Sequence, residues 1–346
     1  MNAGPCQRPP TWSIVLAFAL VYLSWGTTYL AIKEGVRSLP PALFGGTRIT
    51  LAGLLLLGYL ACRGEPLRLP RREWLGAAGG GVLLFVCGNG LISVAQRTVD
   101  SGVASILVST TPLWIALLEG FWPHGDRLTL RGWLGILAGL GGVVVLLAPR
   151  LKEPATLRGD AAPLLVLGSA FSWGLGSLLL RHRRPTGSHL TAAAWQMLLG
   201  GAALSLVGLA LGEAGQLTPE RFTPAAVYAF FHLLIVGSLI GFLSYSWLLQ
   251  HVSAALAGTY AYVNPLVAIL IGWLLGGEEI TVWLLGGMVI ILAGVFLVRS
   301  GGVRAGRRTE AKRGARPEPP HGNGAVEPRA AALAVRRTPA NPNSSR

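Results

Sequence analysis

The chain has 346 residues, of which 52% are hydrophobic and only 13% charged, with a mean hydropathy of +0.54. A soluble domain carries about 25% charged residues to cover its surface, so the composition speaks against a water-soluble globule and for a bilayer as solvent. The formal charge of +14 gathers after Ser300 and in short connections rather than along a groove, which argues against nucleic acid as a partner and for the orientation rule of membrane insertion. Cys6, Cys62 and Cys87 form an odd set at unrelated spacings, which implies neither a disulfide framework nor a metal site.

Ten apolar runs recur at about the 20 residues that a spanning helix needs: residues 12–33, 41–62, 74–95, 102–122, 131–148, 160–180, 190–211, 225–248, 254–275 and 282–299. Prolines fall between them at Pro40-Pro41, Pro66, Pro70, Pro123, Pro149, Pro154, Pro185 and Pro219. The first run is too long for the core of a signal peptide and has no small-residue cleavage site before Lys33, so it reads as a retained helix. Residues 1–11 are expected to be a cytoplasmic N-terminal segment and residues 149–159 a linker. Residues 300–346 lack any apolar period and predict a disordered basic cytoplasmic tail, either drawn to anionic lipid or serving as a solvated anchor. With both ends inside, Arg63, Arg68, Arg71, Arg72, Arg127, Arg131, Arg181, Arg183 and Arg184 face the cytoplasm, against Lys33, Arg37, Arg97, Arg150, Lys152, Arg158 and Arg221 outside. The excess predicts a multi-pass protein of the bacterial cytoplasmic (inner) membrane with both termini cytoplasmic, although Arg150, Lys152 and Arg158 count against that orientation.

Two halves, residues 12–148 and 160–299, resemble each other. Ser24-Trp25-Gly26 returns as Ser172-Trp173-Gly174, and at the same offset Arg48 falls opposite Gln196. Thr111-Pro112-Leu113 is answered by Asn264-Pro265-Leu266, and Asp126-Arg127-Leu128-Thr129 by Glu278-Glu279-Ile280-Thr281. Gly135 and Gly142-Val143 then match Gly287 and Gly294-Val295. Any one of these matches arises easily by chance, and their common order carries the inference. Five spans per half turn the second upside down relative to the first. The expected fold is therefore an all-α membrane protein of ten transmembrane helices in two inverted five-helix repeats, an arrangement that supports alternating access around a midplane site.

The stretch from Tyr22 to Lys33, Arg48 in the second run, Gly88-Asn89-Gly90, Ser101-Gly102 and Thr111-Pro112-Leu113 together resemble the EamA-type branch of the drug/metabolite transporter superfamily. In the second half Ser172-Trp173-Gly174, the stretch from Thr259 to Pro265 and Gly277-Glu278-Glu279 carry the same likeness. The chain departs from it at Gly125-Asp126, where that family usually has Gly-Glu, after an unusual Trp122-Pro123-His124. The resemblance covers about residues 12–299 and implies a ten-helix secondary transporter that exports metabolites, amino-acid-like compounds or drugs.

An ionisable side chain inside a span costs a few kcal/mol unless paired or hydrated. Arg48 lies about two turns into its run, too deep to reach the interface, and either attracts an anionic substrate group or braces the bundle through backbone carbonyls. Lys33, at a helix end, is expected to snorkel. Trp25, Tyr29 and Trp173 offer rings with a polar edge, which suit a cavity wall or an interface anchor. Asn89 either meets substrate or bonds to a neighbouring helix. Gln196, Tyr262 and Asn264 complete the candidate substrate-binding set, with Tyr245 and Tyr260 as further possibilities. Pro112 and Pro265 each remove a backbone hydrogen bond and are candidate hinges, or plain kinks whose freed carbonyls Thr111 and Asn264 satisfy. Glu119 reads as the partner of a loop arginine or as a route for a coupling proton.

Catalytic signatures such as a Walker loop, His-Glu-x-x-His or Gly-x-Ser-x-Gly do not occur, so no cofactor, metal or catalytic residue is expected. The expected partners are a small-molecule substrate, membrane lipid and a coupling ion such as a proton, and a homodimer is compatible with the sequence. A secondary exporter is the leading reading. The alternatives are a membrane-embedded enzyme acting on lipid-linked substrates, which would need clustered His, Asp or Glu at one face, and a membrane scaffold or sensor signalling through the tail.

Overall fold

Lipid offers no partner to a backbone N–H or C=O, so an apolar run must satisfy those groups within itself. In the computed structural model each of the ten runs meets a helix: α1 Thr11–Ser38, α2 Pro41–Cys62, α3 Arg71–Ala95, α4 Ser101–Phe121, α5 Leu130–Leu151, α6 Ala162–His182, α7 His189–Ala210, α8 residues 224–251, α9 Tyr260–Gly276 and α10 Val282–Arg299. The structure describes residues 9–122, 127–151, 161–182, 188–252, 259–300 and 303–304. Among them nine helices are long and apolar enough to cross a membrane by length and composition, and α9 is a shorter apolar helix of 17 residues. Apart from helices, a two-residue antiparallel pairing joins Arg127–Leu128 to Val303–Arg304. Most of the predicted tail, residues 1–8, residues 152–159 of the linker and residue 160 lie outside the described residues.

Two boundaries differ from expectation. Helix α1 runs past Lys33 to Ser38 and stops where Leu39, ahead of Pro40, takes the extended conformation that a following proline imposes. Pro149 does not end α5 but lies inside its last turn, where the lost N–H removes a single bond from a terminus.

The pairing of the helices survives exchange of the halves. Helix α1 packs on α8 and α9 while α6 packs on α3 and α4; α3 packs on α7 while α8 packs on α2; and α2 with α7, α4 with α9 and α5 with α10 pair across the middle. Small residues let these backbones approach. In α2 and α7, a Cβ at Gly46 would stand 2.5 Å from the Ser205 nitrogen, and one at Gly53 2.7 Å from that of Leu198, so later residues of one helix meet earlier residues of the other and the pair is antiparallel. Helices α5 and α10 do the same: a Cβ at Gly135 would stand 2.7 Å from the Gly294 carbonyl, and one at Gly142 3.0 Å from that of Gly287. Gly135 and Gly142 are the repeat counterparts of Gly287 and Gly294, so these two contacts are one contact seen from each half. Outward, exposed leucine, valine and phenylalanine such as Leu16, Leu137, Val144, Leu270 and Phe296 form an apolar surface suited to lipid.

Replacing Gly201 by Ala would put a Cβ 2.4 Å from the Thr50 nitrogen. Gly201→Ala is expected to destabilise the protein by about 1–3 kcal/mol, seen as a lower Tm in detergent. Gly58→Ala has nothing within 4 Å and should leave Tm unchanged or raise it through helix propensity.

Candidate functional site

Helix α3 widens into a π-helical stretch over Val82–Gly90, and α8 does so over Leu233–Gly241. Such a stretch loosens the regular ladder and frees backbone groups, a feature that concentrates at functional sites. Here the other half supplies the partners. Trp25 Nε1 donates to the Gly237 carbonyl at 3.2 Å, and Ser172 Oγ donates to that of Leu83 at 2.9 Å. The rings need glycine beneath them: a Cβ at Gly241 would stand 2.6 Å from Trp25 Nε1, and one at Gly88 3.2 Å from the Trp173 ring. The tryptophans of the repeated Ser-Trp-Gly motif are thus each seated on the π-helical stretch of the opposite half.

Between these two seats lies a cavity. It offers about 160 Å³ to the centres of water-sized molecules, where ~10–15 Å³ would hold one water, so it has room for a small solute. Eight helices line it, and α5 and α10 contribute nothing. Trp25, Tyr29, Arg48, Asn89, Trp173, Asn264 and Pro265 all reach the lining. Trp25 meets Tyr260 edge-on at 4.8 Å and Tyr245 at 5.0 Å, giving one wall an aromatic cluster. Hydroxyls of Thr28, Ser105, Ser109 and Ser169 lie among the remaining lining residues.

Arg48 is 5% exposed. Its Nη1 donates to Ser238 Oγ at 2.9 Å and its Nη2 to Asn89 Oδ1 at 3.0 Å, one acceptor from each of the two π-helical stretches. Its Nε has no partner among the described residues. Among the described residues no Asp, Glu or His lines the cavity, and none of their ion pairs involves Arg48. The guanidinium is therefore held by neutral dipoles and keeps its whole charge available to an anion, the group that its planar fork of donors fits.

Residues 12–148 and 161–300 each match the EamA-like transporter family. The chain belongs to the EamA-like transporter family. It is similar to the uncharacterized inner membrane transporter YedA of Escherichia coli K12, with 37% identity over 79% of this chain and 86% of that one. It is also similar, at 24% identity over 80% of this chain and 92% of the other, to a probable amino-acid metabolite efflux pump of Salmonella typhimurium LT2. A solved crystal structure 24% identical in sequence covers 85% of this chain and 99% of its own with a TM-score of 0.58, which shows a shared fold. The protein is thus an all-helical, multi-pass membrane transporter.

Other candidate residues stand elsewhere in this transporter. Gln196 is outside the lining; its neighbour Met197 lines the cavity instead, and the Gln196 backbone packs where a Cβ of Gly81 would stand. Tyr262 is likewise outside, its ring 5.7 Å below the Arg299 guanidinium, while Tyr260 takes the cavity side. Two residues apart on a helix is about 200° of rotation, so both tyrosines cannot face one cavity. Glu119 is not among the lining residues. The two prolines also differ. Pro112 follows a break in α4 at Ser109-Thr110, and three successive hydroxyls, of Ser109, Thr110 and Thr111, bond back to the carbonyls of Ile106, Leu107 and Val108 at 2.6–2.7 Å. Pro265 sits inside a continuous α9, and Asn264 Oδ1 has no partner among the described residues.

About one turn beyond Tyr29, Lys33 does not snorkel. It is 12% exposed, with its Nζ 2.5 Å from Asp100 Oδ1 and 2.9 Å from Glu278 Oε1. Gly277, with φ of 64°, turns the chain off α9 and delivers Glu278. That carboxylate also accepts from Ser101 N at 2.7 Å, Ser101 Oγ at 2.9 Å and Gly102 N at 3.0 Å, in the first turn of α4 where the helix dipole favours an anion. The cluster fastens α1, α4 and α9 together at one end of the bundle. Glu278→Gln and Lys33→Met are each expected to cost about 1–3 kcal/mol, and the double variant less than their sum. A double-mutant cycle of thermal unfolding in detergent reads this directly, and strictly additive costs would mean that the pair is not coupled.

Proposed function

We propose that this protein is a secondary active exporter that moves small metabolites, amino-acid-like compounds or drugs out across the bacterial cytoplasmic (inner) membrane by alternating access. It would work as two inverted five-helix repeats, with both termini in the cytoplasm. The observation that carries this reading is the cavity walled by eight helices from both halves, at the place where each half seats its tryptophan on the other. Antiparallel pairing of α2 with α7 and of α5 with α10, together with a contact pattern that survives exchange of the halves, supports the inverted repeat. A repeat of that kind has two packings of similar energy, one open to each side. On this topology the Lys33–Glu278 cluster lies at the outer face and must part when the cavity opens outward. The name of the Salmonella relative favours efflux over uptake. An enzyme acting on lipid-linked substrates would need acids or histidines in the cavity, and its described lining holds neither.

Everted membrane vesicles containing the full chain should accumulate labelled metabolites or toxic amphipaths faster than vesicles without it. Failure to move any of a broad panel under any ion gradient would overturn the proposal. Removal of residues 307–346 should leave the rate near that of the full chain, whereas loss of transport on that truncation would favour a tail-dependent scaffold or sensor.

A further inference from the structure

Building on the transporter reading, we infer that the cavity takes a net monoanion with an apolar body, a monocarboxylate, and that the protein moves it chiefly by exchanging one such anion for another. The argument is one of charge. The described lining contains a single ionised group, the Arg48 guanidinium, and no acid. Of its five N–H donors, one on Nη1 and one on Nη2 go to Ser238 and Asn89, both neutral, and Nε has no partner. A carboxylate can bond two of the remaining donors side by side, while its apolar body lies against the rings of Trp25, Tyr29, Phe85 and Trp173.

The same accounting separates ligand charges. A zwitterion could rest its ammonium on an aromatic face, but the occupied cavity would then still carry one uncancelled positive charge. A neutral or cationic ligand leaves the charge as it was or adds to it. Only a net monoanion makes the occupied cavity neutral. During alternating access the cavity must pass through a closed state in which bulk water is shut out, and there an uncompensated charge is most costly. That cost falls on the empty carrier and is removed in the loaded one. Return of the empty carrier is consequently the slow step, and an anion waiting on the far side accelerates the cycle.

The test uses the purified full-length chain in phosphatidylcholine liposomes and two ligand series of matched shape. Each comprises an N-acetyl amino acid (net −1), the free amino acid (zwitterion), the N-acetyl amide (neutral) and the amino amide (cation), built on tryptophan or on leucine. Efflux of labelled N-acetyltryptophan or N-acetylleucine should rise about tenfold or more when the same anion is present outside, and should not rise with the other three members. With the potential clamped by valinomycin and potassium, exchange should keep its rate when the potential is changed while net efflux responds, since exchange moves no net charge. Arg48→Lys should retain anion exchange at a reduced rate and Arg48→Gln should lose it. Should Arg48→Gln fail to fold, the matched series and the potential clamp on the unaltered protein still decide. Equal stimulation by the zwitterion, amide or cation, or net efflux as fast as exchange, would overturn the inference and leave the transporter reading standing. No flux of any member of either series through monodisperse, helical protein would count against both.

Discussion

A positive charge buried among helices that must live in lipid is the constraint around which this molecule is arranged. Among the described residues Arg48 has no carboxylate to lean on, yet it is almost wholly enclosed. Removing such a charge from water is tolerable only where polar groups replace the lost hydration. Asn89 and Ser238 do so, and both belong to π-helical stretches, which re-aim side chains that a regular helix would turn elsewhere. Those stretches in turn need the opposite half to cover their loosened turns, which Trp25, Ser172 and Trp173 do. The setting of the guanidinium and the contact between halves are therefore the same set of interactions.

The broad fold was legible because lipid leaves helices few alternatives, so apolar run length and proline placement located every helix to within a few residues. The repeat was legible for a related reason: glycines that allow close backbone approach cannot drift without prising helices apart, and Gly135, Gly142, Gly287 and Gly294 kept their order. Helix phase was not legible. Within a span that is apolar on nearly all sides there is little to say which residue points inward, so the sequence does not separate Gln196 from Met197, which faces the cavity, or Tyr262 from Tyr260, which does the same. Ser238 carries no signal of its own in an apolar run, and only the repeat points to it: Gly237-Ser238 in the second half answers Gly88-Asn89 in the first at nearly the offset of the Ser-Trp-Gly motif. Lys33 reads as a snorkelling residue because its partners Asp100 and Glu278 are brought to it only by the tertiary fold.

The prolines illustrate how equivalent sequence positions acquire unequal roles. Pro112 stands in a broken helix whose exposed carbonyls are met by three consecutive hydroxyls, a backbone that is locally satisfied and can bend without stranding polar groups in lipid. Pro265 interrupts nothing visible, and beside it Asn264 keeps an unmet acceptor at the cavity wall. Any hinge motion therefore has an easier locus in α4 than in α9.

Glu278 takes bonds from Lys33 and from three donors in the first turn of α4 through only two oxygen atoms. Withdrawing that carboxylate by a small distance would break these four bonds together, uncovering the first turn of α4 and leaving Lys33 to Asp100 alone. Parting at this end of the bundle should for that reason be abrupt, so that the passage there is either shut or fully separated and a trickle through a half-parted seam is disfavoured.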